Sequence, residues 1–330
     1  AGEVPKQCKN TCIQHEQAFG QSLRTEALRD YNNKIFTDTN IDFIDYRASN
    51  VCNFKCRSCE PTFSHGINQE VHKYPELEKF YGKKFDDKKI ALDSVNKDWI
   101  LDNIGNIKRL MFTGGEPTVM AESKEIISYI LDNNIQDISI LITSNGSFTD
   151  NFWKKFTQSY SNLHWTISID AVGKDAEIVR HGTDWDVVYS NLKWLAVNAN
   201  SLDVNTVISN LNVKRLKPLL KTISELQQIS KYPSGKQGDM GLRHQFYITQ
   251  LPYYLAANNW PDDEKNDIVT YLSSCFELTL DDEQSSTIHN LIDLISSTKF
   301  DNGKWEQSNR YNMLLDEIRN ESYLLLREFK

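Results

Sequence analysis

The chain lacks any apolar run near the ~18 residues that a membrane-spanning helix needs, and its mean hydropathy is −0.53. It has no basic stretch followed by a short apolar one at its start, so no secretory leader is expected. Positive charge is in deficit: 37 Lys and Arg stand against 45 Asp and Glu, a formal net charge of −8. That balance disfavours a general binder of phosphate backbones and leaves room only for a local basic groove. No internal repeat or low-complexity tract is visible. What remains is 330 residues, 39% hydrophobic and 25% charged, as expected of a folded protein. The length suits two average domains or one large α/β barrel. Ala1-Gly2 stands where an initiating Met is usual, as in a trimmed chain.

Cysteines are few and uneven. Five of the six (Cys8, Cys12, Cys52, Cys56 and Cys59) precede residue 60, and Cys275 stands alone. A chain of this length without secretory features needs no disulfide staples. Pairing within Cys52, Cys56 and Cys59 would leave an odd thiol, so the cluster reads as metal ligands in a cytoplasmic protein. Cys275, in an apolar helical context, reads as a core thiol.

Runs rich in β-branched residues predict strands at 41–48, 107–112, 138–143, 163–170, 202–209 and 244–249. Helical spacing is found at 94–104, 122–133, 185–198 and 213–230, and again at 281–295 and 311–329. Strand and helix alternating six times predict parallel strands with right-handed crossovers. The expected fold is α/β, a partial (β/α)6 TIM-like barrel over 41–252. An N-terminal extension (1–40) and a helical C-terminal extension (253–330) flank it. Residues 232–241 read as a loop inside the barrel. In such a barrel chemistry sits at the carboxyl ends of the strands. The polar punctuation falls there: CNFKCRSC after the first strand, TGGEP after the second and SNGS after the third.

Cys52, Cys56 and Cys59 form C-x3-C-x2-C on a loop after the first strand. Three thiolates from one short loop can bind three irons of a cubane and leave the fourth open. A structural zinc site would want a fourth protein ligand nearby. The nearest histidines, His65 and His72, fit zinc-finger spacing poorly. After the second strand, Thr113-Gly114-Gly115-Glu116-Pro117 offers two glycines that permit close approach to the backbone. The Glu116 carboxylate beside them can hold an ammonium group.

C-x3-C-x2-C after strand one, followed by GGEP after strand two, resembles the radical S-adenosylmethionine (radical SAM) superfamily. That resemblance implies a [4Fe-4S] cluster on Cys52, Cys56 and Cys59, with S-adenosylmethionine on the open iron. It implies that Thr113, Gly114, Gly115 and Glu116 hold the methionine amino group. Thr143, Ser144 and Asn145 would face cofactor or substrate, and Ser168 and Asp170 the ribose and methionine. Arg180 would pair with the methionine carboxylate, and Leu251 would cover the adenine. Ser58 stands where the family often has a bulky adenine contact, so Phe54 or Leu251 is expected to supply the apolar face. The reaction implied is reductive cleavage of S-adenosylmethionine to methionine and a 5′-deoxyadenosyl radical that removes a substrate hydrogen. It needs no protein base, so the lack of an obvious His–Asp pair is no objection.

Cys8 and Cys12, with Ser22-Leu23-Arg24 following, resemble the flank of radical enzymes with a twitch or SPASM-type auxiliary iron–sulfur cluster. The spacing here is C-x3-C rather than C-x2-C. That flank implies a peptide or protein side-chain substrate, with a small metabolite or nucleotide as the alternative. An electron donor such as flavodoxin or ferredoxin is implied. The competing class is a non-catalytic zinc- or cluster-binding module.

Overall fold

The structure, a computed structural model, describes residues 41–82, 96–231, 241–249, 251–279 and 281–330, with Ile13, Glu16, Ser22 and Thr25. The expectations for Cys8 and Cys12 lie outside the described residues, as does the loop expected at 232–241 except for Gly241, which stands in a strand instead. Six strands pair in parallel: β1 (Ile41–Tyr46), β3 (Ile107–Phe112), β4 (Ser139–Ser144), β5 (Leu163–Ser168), β7 (Ser201–Ile208) and β8 (Gly241–Ile248). Two short strands, β2 (Lys55–Cys56) and β6 (Arg180–His181), pair antiparallel beside the sheet.

Register divides the sheet into two faces. Tyr46, Phe112, Ile142, Trp165, Leu202 and Leu242 lie side by side across the six strands. All six are buried. The next row reads Thr143, Thr166, Asp203, Arg243. One face is therefore apolar under the helices, and the other is the polar interior of a partial barrel, as period-two alternation requires.

The crossover helices are α3 (Lys97–Asp102), α4 (Ala121–Asp132), α5 (Asn151–Ser159), α7 (Trp185–Asn198) and α8 (Leu216–Ile229). Their starts follow from capping: Asn96, Asp150 and Asp184 each accept a first-turn N–H through the side chain. On α8, Leu216, Leu219, Leu220, Ile223 and Leu226 form one buried stripe. Each contributes about 1.5–3 kcal/mol of transfer free energy. Three further helices are α1 (His65–Lys73), α2 (Glu78–Tyr81) and α6 (Gly173–Val179). The chain ends in α9 (Asp262–Ser273), α10 (Asp282–Ser297) and α11 (Asn302–Arg319). Among the described residues no helix is long and apolar enough to cross a membrane.

Several expected boundaries move. The first strand stops at Tyr46 rather than at residue 48, the fourth at Ser168, and the sixth begins at Gly241. The helix expected at 311–329 is α11, which starts at Asn302 on the Asp301 cap and ends where Asn320 turns left-handed with φ 53°. A short 3-10 turn (Tyr323–Arg327) follows. Cys275 is buried, as a core thiol should be.

The main core lies between the sheet and its helices. A second apolar cluster joins Ile67 and Val71 of α1 to Ile178 of α6, Tyr311 and Leu315 of α11, and Leu326. Through it the C-terminal segment packs at the end of the sheet where the cysteines are.

Candidate active site

Beyond β1 and β3 the strand pairing continues as a zipper between two loops. Thr113 N–H donates to the Tyr46 carbonyl (3.0 Å), Gly115 to Ser49 (3.1 Å) and Glu116 to Val51 (2.7 Å). The Gly115 Cα lies so close to the facing loop that a Cβ there would sit 2.1 Å from the Val51 oxygen. The glycine expected to admit a ligand thus admits the backbone leading to Cys52. The other flank of the cysteine loop is held by β2 pairing with β6, which sets Cys56 opposite Arg180. At Gly182, with φ +100°, a Cβ would stand only 2.9 Å from the Asn53 oxygen.

These loops enclose a cavity of about 630 Å³. Cys52, Cys56 and Cys59 line it, with Phe54 and Ser58 between them. Opposite stand Thr113, Gly114, Gly115 and Glu116 from the second strand end, and Thr143, Ser144 and Asn145 from the third. Ser168, Arg180 and Leu251 complete the residues expected from sequence. Asp170 departs from its expectation and is not on the wall. Its carboxylate is taken up by the Val207 N–H (2.9 Å) and by Arg180 Nη1 (2.9 Å), so it acts on the cavity through Arg180. The wall also includes Phe63, Phe80, Tyr81 and Tyr254, which sequence reasoning misses. These aromatics share the cavity wall with Ser58, which offers no ring. Leu251 stands at the edge, 65% exposed.

The Glu116 carboxylate is closely held. Oε1 accepts from Thr118 N–H, Thr118 Oγ1 and Ser144 Oγ, and Oε2 accepts from Asn145 N–H (2.6 Å). Burial pushes its pKa up, and these four donors oppose that. One lone pair of Oε2 remains for an ammonium group. Asn145 Nδ2 donates to Asn53 (2.8 Å), which donates in turn to Ser147 (2.8 Å), tying the third strand end to the cysteine loop. The Arg180 side chain is 15% exposed, and its Nε, itself buried, finds no hydrogen-bond partner among the described residues. A guanidinium on a cavity wall is a charge-assisted donor to an anion.

The three cysteines are free thiols. Burial pushes all three up, Cys59 to about 12, and the neighbouring Cys56 adds to the rise at Cys52 and Cys59. Thiols so placed give up their protons to a bound cation, which reverses the penalty. Among the described residues no three His, Cys, Asp or Glu side chains are gathered tightly enough to hold a single ion. A cubane needs no such gathering, because each thiolate takes its own iron. His65 begins α1, which also carries His72, and neither lines the cavity. The donor set therefore fits a three-cornered cluster better than one zinc ion.

A family model described as the Radical SAM superfamily matches residues 46–223, more than half of the chain. The probable GTP 3′,8-cyclase of Methanocaldococcus jannaschii is 27% identical over 125 residues, 37% of this chain and 41% of that protein. The solved structure of histidine-tagged anSMEcpe with bound AdoMet (S-adenosylmethionine) is 16% identical, with a TM-score of 0.44, over 72% of this chain and 57% of that one. Streptococcus suis SuiB bound to precursor peptide SuiA is 13% identical, with a TM-score of 0.41, over 73% and 56%. The chain spans under half of the curated relative and a little over half of these structures.

Proposed function

The chain belongs to the radical SAM superfamily, and from that premise we propose that it cleaves S-adenosylmethionine reductively and directs the product radical at a substrate C–H bond. Members of the family use a [4Fe-4S] cluster and S-adenosylmethionine. When bound, that pair supplies one electron to the sulfonium and, from it, a carbon radical able to remove hydrogen.

In this reading Cys52, Cys56 and Cys59 hold the cluster at three corners. The Glu116 lone pair, with the main chain of Thr113, Gly114 and Gly115, receives the methionine ammonium. Arg180 Nε receives its carboxylate, and Asp170 keeps the guanidinium aimed. Thr143, Ser144, Asn145 and Ser168 supply the polar wall around ribose and substrate. Phe54, Ser58 and Leu251, with the aromatic wall, exclude water around the adenine. The observation that carries the reading is the convergence of three thiols, the Glu116 carboxylate and the Arg180 guanidinium on one cavity. Its size lies within the ~300–1,000 Å³ usual for small-molecule sites.

For substrate, we infer a peptide or protein side chain. Leu251 and Tyr253, 65% and 61% exposed beside the opening, offer apolar surface that a peptide segment can cover. A nucleotide is the second reading, favoured by the identity shared with the probable GTP 3′,8-cyclase. The electron donor in this reading is of the flavodoxin or ferredoxin type.

The test is direct. Protein reconstituted with iron and sulfide under anaerobic conditions, then given dithionite, should convert S-adenosylmethionine to 5′-deoxyadenosine. No conversion by cluster-loaded protein overturns the reading. Stimulation by GTP and by no peptide would select the nucleotide substrate.

A further inference from the structure

Arg57 sits inside the cysteine motif, between Cys56 and Cys59, yet its side chain is 0% exposed and faces away from solvent. All five of its N–H donors are used. Nε donates to the Ile178 carbonyl (3.0 Å), and Nη1 to the Asn312 carbonyl (3.1 Å) and Asn312 Oδ1 (3.2 Å). Nη2 donates to Asp316 (2.5 Å) and Glu321 (2.8 Å). The main chain is bound as well: Arg57 N–H donates to Val179 (3.0 Å), and Tyr311 Oη donates to the Arg57 carbonyl (2.8 Å). A guanidinium taken wholly out of water is costly unless every donor is met and its charge is balanced. Here two carboxylates balance it. Burial alone would raise the Glu321 carboxyl, but hydrogen bonds from His181 and Arg57 hold it below its ordinary range.

Asn312 and Asp316 are one turn apart on α11, and Glu321 follows its end, 264 residues from Arg57. The only covalent route between these partners runs through the whole barrel. We propose that Arg57 is a positioning residue: it fastens the cysteine loop to α11, so that the C-terminal segment sets how the three thiols are held. This inference rests on the function proposed above, and it assigns the end of the chain a part in the site that its motifs do not suggest. A shape-matched fork is required, because Lys presents one point charge and cannot meet five acceptors in two directions.

The experiment compares the cluster-loaded full chain with Arg57→Lys and with the milder Glu321→Gln. Three readouts apply: the rate of iron loss to a chelator, the electron paramagnetic resonance signal of the reduced cluster, and the unfolding temperature. Arg57→Lys should lose iron about tenfold faster and shift the resonance, as expected for lost charge-assisted hydrogen bonds. Glu321→Gln should lose iron about threefold faster at a nearly unchanged unfolding temperature, which keeps the test open should Arg57→Lys fail to fold. Iron loss within twofold of the parent and an unshifted signal in Glu321→Gln, with Arg57→Lys the same if it folds, overturn the inference and leave the proposed function intact. A parent that binds no cluster overturns the function instead, and this inference with it.

Discussion

At the amino end of the sheet, His164 bridges Ser201 Oγ (2.6 Å) and Asp203 (3.0 Å), while Arg243 grips the same carboxylate at 2.8 Å and 3.0 Å. At the carboxyl end, Arg180 grips Asp170, and Glu116 gathers Thr118, Ser144 and Asn145. Both ends hold a Ser or Thr, a carboxylate and a guanidinium. The difference lies in what is left over. The amino-end guanidinium meets its carboxylate twice, whereas Arg180 meets Asp170 once and keeps a buried Nε–H without a partner among the described residues. A Ser–His–Asp set that resembles a catalytic triad is here a closed network, and a set with no catalytic look carries the capacity to bind. Leftover hydrogen-bonding capacity beside a cavity, more than residue type, marks the functional end.

Four changes sharpen or break that contrast. Cys56→Ala should reduce 5′-deoxyadenosine formation to background under anaerobic, reducing conditions; retained cleavage would remove the cysteine assignment. Gly115→Ala forces a Cβ to 2.1 Å from the Val51 oxygen, so the paired loops must part. A loss of about 3 kcal/mol or more is expected in denaturant unfolding of the apo chain. Arg180→Gln should leave the fold in place and raise the apparent KM for S-adenosylmethionine at least about tenfold, the scale of a charge-assisted pair. Cleavage kinetics at varied cofactor concentration measure it, and an unchanged KM would show that Nε is not the anion donor.

The smallest effect is expected at the closed end. Arg243→Gln should keep cleavage within about twofold and cost no more than about 1 kcal/mol, since that arginine is partly exposed. Burial would raise the Asp203 carboxyl, but hydrogen bonds from His164 and Arg243 hold it below the ordinary range. A carboxyl lowered on folding adds stability above the unfolded value, near 3.9, and loses it as pH falls through the folded value. The stability gap between parent and Arg243→Gln should therefore be level above about pH 5 and close below about pH 4. A gap that widens in acid would contradict the sign.

Much of the front of the molecule is legible in sequence because its signals are local. C-x3-C-x2-C and GGEP are short, and each follows a strand whose alternation is plain. The strands fall within a few residues of their expected places, and α7 has its full expected span, 185–198. Expectation and structure part where a single residue overrides the pattern: Asp301 starts α11 earlier, and Asn320 ends it ten residues early. The short helices α1, α5 and α6 run only seven to nine residues, below the ~10 at which length separates a helix from a buried strand. The Arg57 anchor is invisible for another reason. Its partners lie 121 to 264 residues away, and no spacing rule spans that distance. The aromatic wall of Phe63, Phe80, Tyr81 and Tyr254 likewise gathers by tertiary packing alone.

The rungs from Gly115 to Ser49 and from Glu116 to Val51 carry a consequence for how such a protein can vary. They are made by peptide groups, so they ask only for a main-chain N–H at each rung and, at Gly115, for the absence of a Cβ. The seat of the thiols is thus inherited from the pleat itself, and side chains around the opening are free to drift in evolution or be redrawn by an engineer. Thr143, Ser168 and Leu251 are the places to begin reshaping what the cavity admits, while the paired loops behind them stay as they are.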